Sequence, residues 1–381
     1  MPVGTFKNTL YGLALPVLGK RCLWSKASGG ASAEKVGRAL LKRRAVGACI
    51  QRFENGRLTE CITAGYAALE PEKRPVTPDT VFRTASIAKM ASALLVFRLQ
   101  TLGRLHVKED ISELAGYAIR NPYYPHAPIT LGMLLSHTSS IVDSPAYFAA
   151  FEKKTPLEDL LRDGEAFRKT LPGAGFCYSN LAAGMVACLL ERRFGVSFET
   201  LAQRELFAPL GVRATFDLST LNARETADAY RVLPMGRAFD ASARIRGAAP
   251  LCEPDPQRHY LLASGGLFLS APELARLAAA AAAGADGFLD AQSLAQMRAP
   301  IAGWPDQAVR MRHGMGLLCL EDSRICGRAL WGHQGFAYGA VNGVFFDERG
   351  CGFALLNSGC SEQRIGHLAL INRDLIAQLM N

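Results

Sequence analysis

Strand-prone runs gather at the two ends of this 381-residue chain and helical ones in its middle, a distribution that limits the fold more than any single motif. Near the start, Val46 to Phe53 and Leu58 to Tyr66 are β-prone runs joined by Glu54-Asn55-Gly56, a strong hairpin signal. Near the end, Met315 to Leu320, Ala329 to Trp331, Val341 to Phe346 and Cys351 to Leu356 read as short strands, with a turn at Asp347-Glu348-Arg349-Gly350. From about Leu99 to Pro254 the signals are helical, as in Leu157 to Phe167, Leu181 to Phe194 and Phe198 to Phe207, separated by Pro- and Gly-rich loops. Further helices are predicted over Glu34 to Arg44, over an alanine-rich run beginning near Pro272, and over Glu362 to Leu379 at the close. Strands at both ends must meet to bury their apolar faces, so the chain is predicted to be α/β (α+β): one antiparallel sheet flanked by helices, with a mainly helical lobe inserted. The predicted division is a basic tail or targeting segment over 1–33, a sheet lobe from 34–98 and 255–381, and a helical lobe over 99–254.

Ser86-Ile87-Ala88-Lys89 places a hydroxyl and an amine one helical turn apart at the start of the apolar run Met90 to Leu105. Residues three apart share a helix face, so Lys89 can aim its amine at the Ser86 oxygen. Serine is inert at its own pKa and needs a base, and a lysine serves when burial or nearby cations keep part of it neutral. The same tetrapeptide also reads as a helix cap followed by a surface lysine. Two later stretches weigh against that plainer reading. Tyr178-Ser179-Asn180 follows a turn-rich entry and precedes the helical run Leu181 to Leu190, which sets Tyr178 and Asn180 at a loop-to-helix junction. His333-Gln334-Gly335 lies between two short apolar runs and reads as a strand edge.

Together these three elements resemble the active-site triplet of the serine β-lactamase and penicillin-binding D,D-peptidase superfamily, in its class C-like branch, with His-x-Gly where β-lactamases carry Lys-Thr-Gly. The likeness extends through Val76-Thr77-Pro78-Asp79-Thr80-Val81-Phe82-Arg83, Pro128 to Ser140, Phe207-Ala208-Pro209-Leu210-Gly211 and Ser264-Gly265-Gly266-Leu267, covering about residues 34 to 381. One departure is Ser140, where family members commonly have Gly after His-Thr-Ser; His137 in the same turn is read as a structural histidine. The resemblance implies a β-lactamase/transpeptidase-like fold with Ser86 as nucleophile of an acyl-enzyme. Lys89 and Tyr178 share its proton, and neither is singled out as the base. Asn180 holds Lys89 or the substrate amide, and His333 supplies a hydrogen bond, or a positive charge at lower pH. Gly335 leaves room for substrate against its strand. The backbone amides of Ser86 and Phe336 stabilise the oxyanion. The implied activity is a serine hydrolase acting on a small-molecule ester, amide or D-amino-acid peptide, with β-lactam turnover ranked behind ester and D-amino-acid peptide cleavage. The alternative is a penicillin-binding sensor that acylates without turnover.

The formal charge of +9 looks at first like a nucleic-acid signal. It is local: residues 1 to 44 hold nine Lys or Arg against Glu34 alone, and the body is nearly neutral, which disfavours nucleic acid as a partner. Thr9 to Gly19 is an apolar run behind Lys7, too short to span a membrane. It fits a plain tail, a cleaved export or organelle signal, or a weak surface anchor, so membrane association is expected only through this segment. Ten cysteines without Cys-x-x-Cys spacing and seven histidines without ligand spacing point to no metal and no cofactor, and weakly to a cytoplasmic, reducing compartment.

Overall fold

The computed structural model describes residues 14, 22–162, 164–285, 287–304 and 308–381. Nine strands form an antiparallel sheet: β1 (Gly47–Glu54), β2 (Arg57–Ala68), β3 (Arg74–Pro75), β4 (Ala302–Gly303), β5 (Met311–His313), β6 (Leu318–Leu320), β7 (Leu330–Ala337), β8 (Ala340–Phe346) and β9 (Gly352–Asn357). Their spatial order is β3-β2-β1-β9-β8-β7-β6-β5-β4, so the two ends of the chain meet where β1 pairs with β9. Asn55 and Gly56 both take positive φ in the β1–β2 turn, the geometry a two-residue hairpin requires.

Both faces of the sheet are covered, which is why its strands read as nearly continuous apolar runs. Along β9, Phe353 and Leu355 face one core with α1 (Ala33–Lys42) and the C-terminal helix Leu370–Leu379, while Ala354 and Leu356 face the larger core on the other side. On that second side lie three further helices, α2 (Ala88–Thr101), α3 (Asn180–Phe194) and α4 (Ala271–Ala283). We label the C-terminal helix α5. α4 carries the alanine run, whose short side chains let it lie close against β1, β8 and β9. α2 and α3 are buried on nearly every side, so neither shows a polar face.

The fold departs from the sequence expectations in four places. The closing helix begins only at Leu370, because Gly366 at φ +54° turns Arg364–Ile365 back onto Leu368–Ala369 as a small hairpin. The helix predicted from Leu157 to Phe167 stops at Arg162, ahead of Gly164 at φ +75°. Within the region expected to be helical, Ala229–Val232 and Met235–Phe239 form a hairpin that is tied to the sheet by Tyr230 N donating to Ser358 O at 2.7 Å. Of the expected tail, residues 22–32 lie along the sheet: Trp24 Nε1 donates to Ala45 O at 2.8 Å, and Ser28 N to Thr63 O at 2.9 Å. The rest of the proposed targeting segment, apart from residue 14, falls outside the described residues. Among those described, no helix is long and apolar enough to cross a membrane.

Candidate active site

Ser86 lies in a single 3₁₀ turn, Ala85–Ile87, that runs into α2. Its approach is pinned from three directions. Thr84 N donates to Leu267 O at 2.9 Å, Asn342 Nδ2 reaches Arg83 O at 3.0 Å, and β7 presses on the turn at Gly335. A Cβ on Gly335 would sit 2.1 Å from Thr84 O and 3.2 Å from Ala85 Cβ. The space expected to receive substrate at Gly335 is therefore filled by the turn that carries Ser86, and the glycine is required for that close approach. Ala85 takes φ +53°, an unusual conformation for a residue with a Cβ, held immediately before Ser86.

Lys89 is buried at 4% exposure and its Nζ meets three oxygens: Ser86 Oγ at 3.2 Å, Asn180 Oδ1 at 2.9 Å and Ser264 O at 2.7 Å. Burial depresses its pKa to about 7, with Asp143 opposing and Arg83 adding to the depression. Tyr178, just ahead of the α3 cap Ser179, lines the same cleft as Ser86, and its ring centroid is 5.1 Å from Lys89 Nζ. Burial pushes its phenol well above the usual tyrosine range, so it stays protonated where Lys89 is half neutral. Asn180 opens α3, and Asp143 accepts from three donors at that helix start: Ser179 Oγ at 3.0 Å, Asn180 Nδ2 at 2.8 Å and Leu181 N at 2.9 Å.

The opposite wall comes from β5, β7 and the loop before β5. Together Ser86, Tyr178, Asn180, Trp304, His313, His333, Phe336, Arg364 and His367 line a cleft of about 350 Å³. His313 stacks on Phe176 with ring centroids 5.2 Å apart, meets the Trp304 ring edge-on at 4.8 Å, and stands 6.2 Å from His333. Trp304 stacks on His367 at 3.9 Å, and the Arg364 guanidinium lies 3.7 Å from the centre of the Phe336 ring. His333 Nδ1 bonds Gln334 O at 2.7 Å. Burial, reinforced by Lys89, lowers the His333 pKa to about 3 and holds His137 and His313 well below the usual range. The positive charge expected on His333 at mildly acidic pH is thus corrected: the imidazole stays neutral, and hydrogen bonding is what it offers. His137 accepts from Ser179 N through Nδ1 at 3.3 Å, a structural bond. Ser140, at the position where the family carries glycine, takes φ +67° and accepts from Asn121 Nδ2 at 2.8 Å. No group of three or more His, Cys, Asp or Glu side chains among the described residues is placed to hold a metal.

Ser86, Lys89, Tyr178, Asn180, His333 and Phe336 thus converge on one cleft, while Gly335 packs behind it. Sequence reading missed Asp143, His313, Trp304, Arg364 and His367, and gave no role to the Ser264 carbonyl. It also missed why Gln334 separates His333 from Gly335. The Gln334 Oε1 accepts from Ala369 N and Asn372 Nδ2, both at 2.9 Å, and its Nε2 donates to His367 O at 3.1 Å, clamping the C-terminal hairpin and α5 to β7.

The chain belongs to the Beta-lactamase family, whose profile matches residues 33–374. Among curated proteins it is similar to penicillin-binding protein 4* of Bacillus subtilis (strain 168), at 26% identity over 172 residues, 44% of this chain and 37% of that protein. It is also similar to esterase EstB of Burkholderia gladioli, at 29% identity over 189 residues, 46% of this chain and 48% of the esterase. The chain therefore spans less than half the length of either relative. Its fold matches that of EstCE1, a hydrolase with promiscuous acyltransferase activity, at a TM-score of 0.74 and 22% identity over 91% of this chain and 98% of that one.

Proposed function

We propose that this protein is a serine hydrolase that cleaves an ester or amide through an acyl-enzyme on Ser86. The observation that carries the reading is the buried amine of Lys89, 3.2 Å from the Ser86 hydroxyl and half neutral near pH 7. A neutral Lys89 takes the Ser86 proton as Oγ attacks the substrate carbonyl carbon. The oxyanion that forms is received by the backbone amides of Ser86 and Phe336. Tyr178 remains a phenol, so Lys89 is the base of the pair, and the proton Lys89 takes from Ser86 is handed on through the Tyr178 hydroxyl to the leaving group as its bond to the carbonyl carbon breaks. Water then enters where the leaving group left and releases the acid.

A neutral His333, where β-lactamases carry lysine, supports uncharged short esters and D-amino-acid peptides ahead of β-lactams. The two curated relatives bear names from both sides of that choice, one a penicillin-binding protein and one an esterase. Assay of the purified protein against p-nitrophenyl esters, D-alanyl peptides and a chromogenic cephalosporin tests the reading. Turnover of an ester or peptide that is abolished in Ser86→Ala is expected. A stoichiometric burst with no turnover on any of them would replace the hydrolase by a penicillin-binding sensor.

A further inference from the structure

The three contacts of Lys89 do more than bury it, because their directions are fixed by what each partner is able to do. Ser264 O is a carbonyl and only accepts, so one N–H of Lys89 points there at 2.7 Å. Asn180 could turn either end of its amide to the lysine, and its far end decides which. That end lies 2.8 Å from Asp143 Oδ2, an oxygen of a carboxylate that also accepts from the backbone N–H of Leu181. A carboxylate facing an amide calls for the NH₂ end, which turns Asn180 Oδ1 to Lys89 at 2.9 Å and commits a second N–H. A neutral amine has two N–H bonds and one lone pair. With both N–H bonds committed, the lone pair is left facing Ser86 Oγ at 3.2 Å.

We propose that Asp143 is a positioning residue of this site, aiming the lone pair of Lys89 at the Ser86 hydroxyl through the amide of Asn180. It does not touch the reacting atoms. Without its carboxylate the Asn180 amide is free to flip, and a flipped NH₂ group would donate to the lysine lone pair in competition with Ser86. The loss also removes the anion that holds the Lys89 pKa up. Lys89 is otherwise faced by Arg83, by the ring of Tyr178 and by the neutral imidazoles of His137, His313 and His333, while Asp143 itself is faced by Tyr147 and Tyr178. Taking away the carboxylate lowers the pKa of Lys89, so the neutral form persists to lower pH.

The proposal rests on Ser86 as nucleophile, and labelling of the full chain by a fluorophosphonate, followed against pH with the adduct mapped by mass, separates the two. Asp143→Asn keeps an oxygen for Leu181 N. It is expected to label at Ser86 at least about tenfold more slowly at the plateau, with the acid limb moved to lower pH by about half a unit. A loss of fold alone would not move that limb. Exchanging the pair, Asp143→Asn with Asn180→Asp, puts the carboxylate directly on Lys89 and is expected to move the limb the other way, to higher pH. Ser86 labelling in the wild type with rate and limb unchanged in Asp143→Asn overturns the positioning role and leaves the nucleophile standing. Labelling at another residue in the wild type removes the nucleophile and the positioning role with it. If neither variant folds, Asp143 is a helix cap and the assignment is overturned.

Discussion

On one wall of the cleft Lys89 meets three oxygens, and Ser179, Asn180 and Leu181 converge on Asp143. On the other, His313 is buried more deeply still, at 1% exposure, and its Nε2 meets no hydrogen-bond partner among the described residues. An unmade buried hydrogen bond costs about 1–3 kcal/mol, so the second wall carries a penalty that the first does not. The difference separates two jobs. The lysine wall is complete before any substrate arrives, which suits groups that must act on a proton with fixed geometry. The histidine wall holds neutral rings among Phe176 and Trp304, which suits packing against an uncharged part of a substrate.

The largest effects are expected on the lysine wall. Ser86→Ala is expected to cut ester turnover about a thousandfold or more, and Lys89→Ala and Tyr178→Phe to be severe as well. Because both serve one proton transfer, the double variant is expected to lose little beyond the worse single one, measured as kcat/KM. Additive losses would break the shared-transfer account.

His333→Lys moves a cation into the other wall and is expected to shift preference toward carboxylate-bearing β-lactams by about tenfold. Coulomb attraction gives about 4 kcal/mol at 4 Å for an effective dielectric of 20, most of which desolvation removes. His333→Gln is expected to leave the activity limb near pH 7 in place, since that limb belongs to Lys89. A limb that moves with His333→Gln would assign the titration to the wrong wall.

Acid stability is expected to follow the histidines. Their folded pKa values are depressed, so below about 6.5 the unfolded chain binds more protons than the folded one, and stability falls as pH drops toward the folded values. His313→Phe removes both a buried imidazole and its unpartnered nitrogen. Its thermal midpoint is expected to exceed that of the wild type by a few degrees at pH 5 and by less at pH 7. A midpoint that falls equally at both values would mean that Nε2 is satisfied after all. The smallest effect is expected at Ser140→Gly, where relief of a positive φ offsets the lost bond from Asn121, for a net change within about 1 kcal/mol by chemical denaturation.

The two walls also differ in how far they were legible in the sequence. Ser86 with Lys89, and Tyr178 with Asn180, are local pairs whose spacing is converted to geometry by one helix turn or one helix start. His333 was legible as a residue, but its charge state was not, because burial sets it and burial is a property of the assembled fold. Ser264 contributes a backbone carbonyl, which no side-chain identity announces. Asp143 lies three residues beyond the quoted Pro128 to Ser140 stretch and reaches α3 only through the tertiary fold, and His313 and Trp304 come from a segment with no motif. The paired strands at the chain ends were read correctly in kind. The C-terminal helix was overextended because a helical pattern from Glu362 concealed the turn at Gly366 and the clamp that Gln334 imposes.

The central claim is that neutral Lys89 activates Ser86. The most direct test is the rate at which a fluorophosphonate modifies the wild-type protein as pH is varied, with the adduct located by peptide mass mapping. The account predicts a single adduct on Ser86, absent in Ser86→Ala, forming at a rate that rises with pH through a midpoint near 7. An adduct on another residue, or a rate on Ser86 that stays flat from pH 5 to 9, would contradict it.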